Sequence, residues 1–173
     1  TDYAGVLLDP RNDGRTGVML LANPRGSQYD AVNDDATGNE DSAPDFFWTS
    51  AARVGERGWT LEIRVPFASL RYPPADPATW RVIFYRNYPR AYRYQFFSAR
   101  IPRGSNCLVC RTEPVAGLTG LPHGGSYVAA PYVTGRRDER PVDGAGSPLD
   151  ARSSEADLGG DIKWTPNAQT TLD

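Results

Sequence analysis

Four groups of residues in this sequence carry side chains that could do chemistry. Cys107-Leu108-Val109-Cys110 is a CxxC pair, which can be redox-active, a structural disulfide or half of a zinc site. Zinc normally needs four ligands, and His123 is the only histidine in the sequence. A thioredoxin-type role needs a βαβ context, which the flanking sequence lacks. Asp9, Asn12 and Asp13 cluster beside Gly14 and offer the oxygen ligands that hard cations want, so calcium is a candidate cofactor here. Arg11 fills the third position of an EF-hand pattern, so the competing reading is a turn held by Asx bonds. The loop acids Asp34, Asp35, Glu40, Asp41 and Asp45 form a second, looser cation candidate. A single histidine leaves little scope for Ser–His or Cys–His catalysis. Two carboxylates can hydrolyse glycosides, but no spacing here selects a pair. Glu62 and Arg64, two residues apart on one strand face, read as a structural ion pair.

The elements that must position these groups are strands. Trp59, Leu61, Ile63 and Val65 alternate with Thr60, Glu62 and Arg64, the pattern of a half-buried strand with one apolar face. Further strands are expected over 3–8, 16–23, 27–32, 51–56, 80–88, 92–98, 127–134 and 161–165. Val18, Met19, Leu20 and Leu21 are apolar on both sides, which suits a central strand. Residues 102–126 read as loop. Residues 135–160 are polar and read as a long flexible loop or linker. Residues 1–122 are therefore expected to form an all-β antiparallel sandwich, and 123–173 an appendage of one or two strands with a long loop.

Composition narrows the class. Gly (17) and Pro (15) make many short strands and turns more fitting than a helical bundle. The net charge of −2 gives no electrostatic case for nucleic acid as a partner. All the basic residues but Lys163 are arginines, scattered and interleaved with acids, as on a solvated surface. No run of about 18 apolar residues marks a transmembrane helix. The chain opens on a strand and closes on Thr170-Thr171-Leu172-Asp173, which reads as a strand beginning, so a piece of a longer protein is expected.

Three segments in order resemble a known family. Leu8-Asp9-Pro10-Arg11-Asn12-Asp13-Gly14-Arg15-Thr16-Gly17, Gly58-Trp59-Thr60-Leu61-Glu62-Ile63-Arg64-Val65-Pro66-Phe67-Ala68-Ser69-Leu70-Arg71-Tyr72 and Trp80-Arg81-Val82-Ile83-Phe84-Tyr85-Arg86 are similar to segments of carbohydrate-family-9-like binding domains. Pro131-Tyr132-Val133-Thr134-Gly135 and Gly159-Gly160-Asp161-Ile162-Lys163-Trp164-Thr165-Pro166-Asn167 resemble the junction of such a domain with a predicted outer-membrane β-barrel in a bacterial family. The resemblance implies a jelly-roll-like sandwich whose first strands lie upstream of residue 1. It implies that 127–173 holds the first strands of a truncated barrel, at the periplasmic side of a Gram-negative outer membrane.

It also implies a function. The expected activity is non-catalytic binding of a sugar or polysaccharide, by aromatic rings that stack on sugar faces and polar groups that hold hydroxyls. Trp48, Phe46, Tyr85 and Tyr92 are the candidate aromatics, with Asp45 and Arg86 as polar partners. Calcium at Asp9, Asn12 and Asp13 fits the same family. In a periplasmic compartment, Cys107 and Cys110 are expected to form a local disulfide. The alternatives are a structural or plug-like interaction domain serving the barrel, or part of a glycoside hydrolase.

Overall fold

The computed structural model describes residues 1–122, 126–167 and 170–172. Twelve strands follow along the described chain: β1 (Tyr3–Asp9), β2 (Thr16–Ala22), β3 (Gln28–Asp34), β4 (Asn39–Asp41), β5 (Thr49–Gly55), β6 (Gly58–Arg64), β7 (Ala78–Pro89), β8 (Arg93–Phe97), β9 (Glu113–Leu118), β10 (Ser126–Pro141), β11 (Leu149–Asn167) and β12 (Thr170–Leu172). The helical content among the described residues is two single 3-10 turns, Phe67–Ser69 and Val109–Arg111. The protein is all-β, as its turn-rich composition predicts. The chain divides into two compact units, Thr1–Gly124 with Asn167–Gln169, and Gly125–Pro166 with Thr170–Asp173.

The first unit is built on a seven-stranded antiparallel sheet ordered β4-β3-β2-β1-β7-β8, with β9 also paired to β7. Its central strands are apolar on both faces. Val6 lies opposite Leu20 and Phe84, and the next pair along, Leu7, lies opposite Met19 and Ile83. Successive side chains of a strand point to opposite faces, so Val6 and Leu7 head separate cores. Val6, Leu20, Ala22 and Trp48 form one, against which Leu61, Ile63 and Val65 pack. These three come from the β5–β6 hairpin and its exit, so the alternation of that strand is used as expected: its apolar side covers the sheet. Leu7, Met19, Leu21, Ile83 and Val109 form the other core, covered by Ala99, Ile101 and Leu108. Burying each large aliphatic side chain contributes about 1.5–3 kcal/mol.

Local chemistry sets the turns. Asn23 Oδ1 accepts the N–H groups of Arg25 (2.9 Å) and Ser27 (3.0 Å), closing the β2–β3 connection, and Gly26 supplies a left-handed φ of 88°. Gly5 serves another purpose. A Cβ there would lie 1.9 Å from the Leu20 carbonyl oxygen, so only glycine lets β1 and β2 approach this closely.

Two expectations fail. The region read as loop after residue 102 contains β9, whose exposed residues leave no apolar alternation to detect. The stretch 135–160 is not a long loop. β10 and β11 run through most of it as one antiparallel hairpin, and only residues 142–148 lie between them. A ladder satisfies backbone groups whatever the side chains are, so a polar strand forms once its partner is in register. His123 and Asp173 lie outside the described residues.

Leu20→Ala, at a position with 0% exposure, is expected to cost about 2–5 kcal/mol in urea unfolding monitored by circular dichroism. Gly5→Ala should destabilise comparably although it removes nothing, because the added methyl meets backbone. A neutral Gly5→Ala would refute the close-approach argument.

Candidate functional site

Alternation brings a set of distant residues to one face of the large sheet. Tyr29 pairs with Leu21, Tyr85 with Gly5, and Gln95 with Asn87, all on the Leu7 face. There Tyr3, Tyr29, Tyr85, Arg93, Gln95 and Glu40 line a cleft of about 520 Å³, floored by Met19, Leu21, Phe97 and Leu108. Tyr85 stacks on Phe97 with centroids 5.0 Å apart and meets the edge of Tyr3 at 5.8 Å. Gln95 Nε2 donates to the Tyr85 hydroxyl (2.8 Å). Arg93 Nε donates to Asn87 Oδ1 (2.6 Å), which aims the guanidinium at the Tyr3 hydroxyl, 3.4 Å from Nη2.

At the other wall, the Tyr29 hydroxyl donates to Glu40 Oε1 (2.6 Å), and Asn33 Nδ2 donates to Oε2 (3.3 Å). The bond to the Glu40 carboxylate, followed by burial, pushes the Tyr29 phenol up to about 12. Burial and the neighbouring Tyr85 hydroxyl raise Tyr3 as well. The Tyr29 and Tyr3 hydroxyls are therefore protonated near neutral pH. The arrangement can stack and hydrogen-bond a small polar ligand. Glu40 is the one carboxylate among the described lining residues, whereas the usual glycoside hydrolysis needs two.

Of the six predicted sugar-binding residues, the cleft contains Tyr85 alone. Trp48 is 8% exposed, packs in the Val6 core, and donates Nε1 to Asp30 Oδ2 (2.8 Å), so it is not an exposed platform. Phe46 is half-buried against the same core, and Asp45 is exposed beside it. Arg86 follows Tyr85 on a strand and so points to the opposite face. It forms a two-pronged pair with Asp2 (3.2 and 3.0 Å) and lies over the rings of Trp59 and Tyr88. Tyr92 is 74% exposed, between β7 and β8. What gathers the cleft is a shared phase across six strands, visible only once the register is known.

Asp9, Asn12 and Asp13 do come together, but their oxygens are turned to the backbone. Asp9 is fully buried. Its Oδ1 accepts the N–H groups of Arg11 (3.1 Å) and Asp13 (3.3 Å), and its Oδ2 that of Gly14 (2.8 Å). Asp13 Oδ1 accepts the N–H groups of Arg15 (2.8 Å) and Thr16 (2.9 Å), while Oδ2 takes the Thr16 hydroxyl (3.0 Å). Burial alone would push the Asp13 carboxyl up, but these donors outweigh it and hold it below its ordinary value. Asn12 takes a left-handed φ of 54° in the turn. Each Oδ1 accepts two donors, which fills both of its lone-pair directions, and each Oδ2 accepts one more, so the geometry is that of an Asx-bonded turn rather than a calcium site.

Cys107 and Cys110 are joined by a disulfide. Leu108 and Val109 between them pack into the Leu7 core. Asp35, from the turn after β3, reaches this loop: Oδ1 accepts the Leu108 N–H (3.1 Å) and Oδ2 the Cys110 N–H (3.0 Å). Among the described residues, Asp35, Cys107 and Cys110 are the one group of three whose ligand atoms all lie within 4.8 Å of one another.

No family model, curated protein or solved structure matches this chain.

Asp9→Ala should lower unfolding free energy by about 2–3 kcal/mol, through the stranded N–H groups. Millimolar calcium should leave the melting temperature of the wild type unchanged, whereas a rise would restore the cation reading. A second expectation concerns pH. The neutral Tyr29 phenol is favoured in the fold, so its contribution is full below the unfolded value of 10.0 and is lost as pH rises towards about 12. The difference between wild-type and Tyr29→Phe tyrosinate absorbance should titrate near 12, and Glu40→Gln should bring it down towards 10. A Tyr29 midpoint near 10 in the wild type would show that the pair is not formed.

Proposed function

We propose that this chain is a carbohydrate-binding-like module of a bacterial cell-envelope protein, and that it acts by binding rather than catalysis. The observation that carries the reading is the Tyr3–Tyr29–Tyr85 cleft. It joins aromatic rings and an apolar floor to Arg93, Gln95 and Glu40, and its volume falls within the range of about 300–1,000 Å³ typical of small-ligand sites. Sugar rings carry apolar C–H faces that match the tyrosines, and hydroxyls that match the polar rim. The ordered resemblance of three segments to carbohydrate-family-9-like domains points the same way.

A specific observation favours a second reading, an interaction domain serving an outer-membrane β-barrel. In the β10–β11 hairpin, Tyr127 lies opposite Trp164, Ala129 opposite Ile162, Pro131 opposite Gly160, and Val133 opposite Leu158. These alternate residues share one face, on which Tyr127, Val133, Leu158, Ile162 and Trp164 are exposed. The intervening pairs carry Lys163, Asp161, Asp157 and the Arg136–Glu155 pair. Apolar on one side, polar on the other and aromatic at one end is the pattern of lipid-facing barrel strands. Tyr132, on the polar side, lies across Gly159, where a Cβ would come 2.3 Å from its ring.

Glycan-array and calorimetric screening should find a sugar ligand whose affinity falls at least about tenfold, on the order of 1.4 kcal/mol, in Arg93→Ala and in Gln95→Ala. Trp48→Phe, a core change, should retain it. Absence of any sugar ligand, together with vesicle binding that depends on Trp164, would replace the first reading with the second.

A further inference from the structure

We propose that Asp35, Cys107 and Cys110 form a binding site for a thiophilic divalent cation of the zinc type, available when the disulfide between the two cysteines is reduced. Asp35 lies 72 positions from Cys107 in the sequence and reaches the cysteine pair through the fold. All three are half-buried, and their ligand atoms lie within 4.8 Å of one another. Asp35 Oδ2 sits 3.0 Å from Cys107 Sγ.

The site is held from both sides. The Asp35 N–H donates to the Arg15 carbonyl (2.9 Å), and its carboxylate is oriented by the N–H groups of Leu108 and Cys110. Val109, 0% exposed, pins the loop into the core, and the Thr112 hydroxyl donates to the Val109 carbonyl (2.6 Å). Opening the disulfide therefore frees two sulfurs without freeing the backbone that carries them.

The donor set suits a particular chemistry. Zinc takes thiolate sulfur at about 2.3 Å and carboxylate oxygen at about 2.0–2.2 Å, in a tetrahedron. Tetrahedral bonds of that length put the two sulfurs about 3.8 Å apart, a separation that rotation about the cysteine side-chain bonds can supply. Three protein ligands leave a fourth position for water. Two sulfurs select against calcium and magnesium.

Charge supplies the driving force. Two metal-binding thiolates next to the Asp35 carboxylate would crowd three negative charges into one site. A divalent cation offsets that crowding. The balance has two steps. A phosphine reductant and water convert the disulfide to two thiols and a phosphine oxide. The cation then forms two metal–sulfur bonds and one metal–oxygen bond, and the two thiols release two protons.

The test uses the full chain, reduced with a water-soluble phosphine and titrated with cobalt(II) without oxygen. One cobalt per chain should bind, with sulfur-to-cobalt charge-transfer absorption and the intense visible bands of a tetrahedral ion, and zinc should displace it. Cys110→Ser should greatly diminish the charge-transfer band. Asp35→Asn should weaken cobalt binding at least about tenfold, with its fold checked by circular dichroism. X-ray absorption of the zinc-loaded wild type should show two sulfur and two oxygen neighbours, a measurement that stands even if Asp35→Asn does not fold. No charge-transfer band in the reduced wild type, a folded Asp35→Asn with unchanged affinity, or a four-sulfur or sulfur-free zinc shell would each overturn the proposal.

Discussion

Two-sided burial of the central strands is the constraint on which the first unit depends. β1, β2 and β7 carry apolar residues at consecutive positions, so both faces of their sheet must be shielded from water. One face is closed by the β5–β6 hairpin through Leu61, Ile63 and Val65. The other is closed by a loop that has little regular structure and inserts Val109 into the core. That loop depends on polar anchors. Arg81, from β7, donates Nε to the Thr112 hydroxyl (3.1 Å) and Nη2 to the Thr112 carbonyl, and Asp35 collects N–H groups at the cysteines. The second core thus holds because charged side chains fasten its cover.

The same alternation decides which residues can share a site. Tyr85 and Arg86 are adjacent in the sequence and on opposite faces of the sheet. Tyr85 belongs to a cleft with Tyr3, Tyr29, Arg93 and Gln95, while Arg86 is paired with Asp2. Residues that cooperate are those in phase across hydrogen-bonded strands, and proximity along the chain is a poor guide to them.

Acidic clusters show a similar division. Asp9 and Asp13 carry the residue types of a cation loop, yet their oxygens are occupied by backbone donors that the turn leaves without ladder partners. Buried carboxylates need such partners, and a turn supplies them at short range. Asp35 is also a backbone acceptor, but it has two sulfur atoms beside it, and that neighbour changes what the carboxylate can do.

The sequence by itself determined that the chain is β-structured, where most strands of residues 1–98 lie, and which side of the Trp59 strand faces a core. These follow from period-two alternation and turn residues, both local properties of the chain. It did not disclose β9 or the full length of the β10–β11 hairpin, because a polar strand owes its existence to a partner's ladder and leaves no apolar rhythm. Nor did it disclose the burial of Trp48, the separation of Arg86 from Tyr85, the gathering of Tyr3, Tyr29 and Arg93, or the approach of Asp35 to the cysteines. Tertiary structure alone decided these, since each depends on the register and order of strands distant in sequence, which no local pattern encodes.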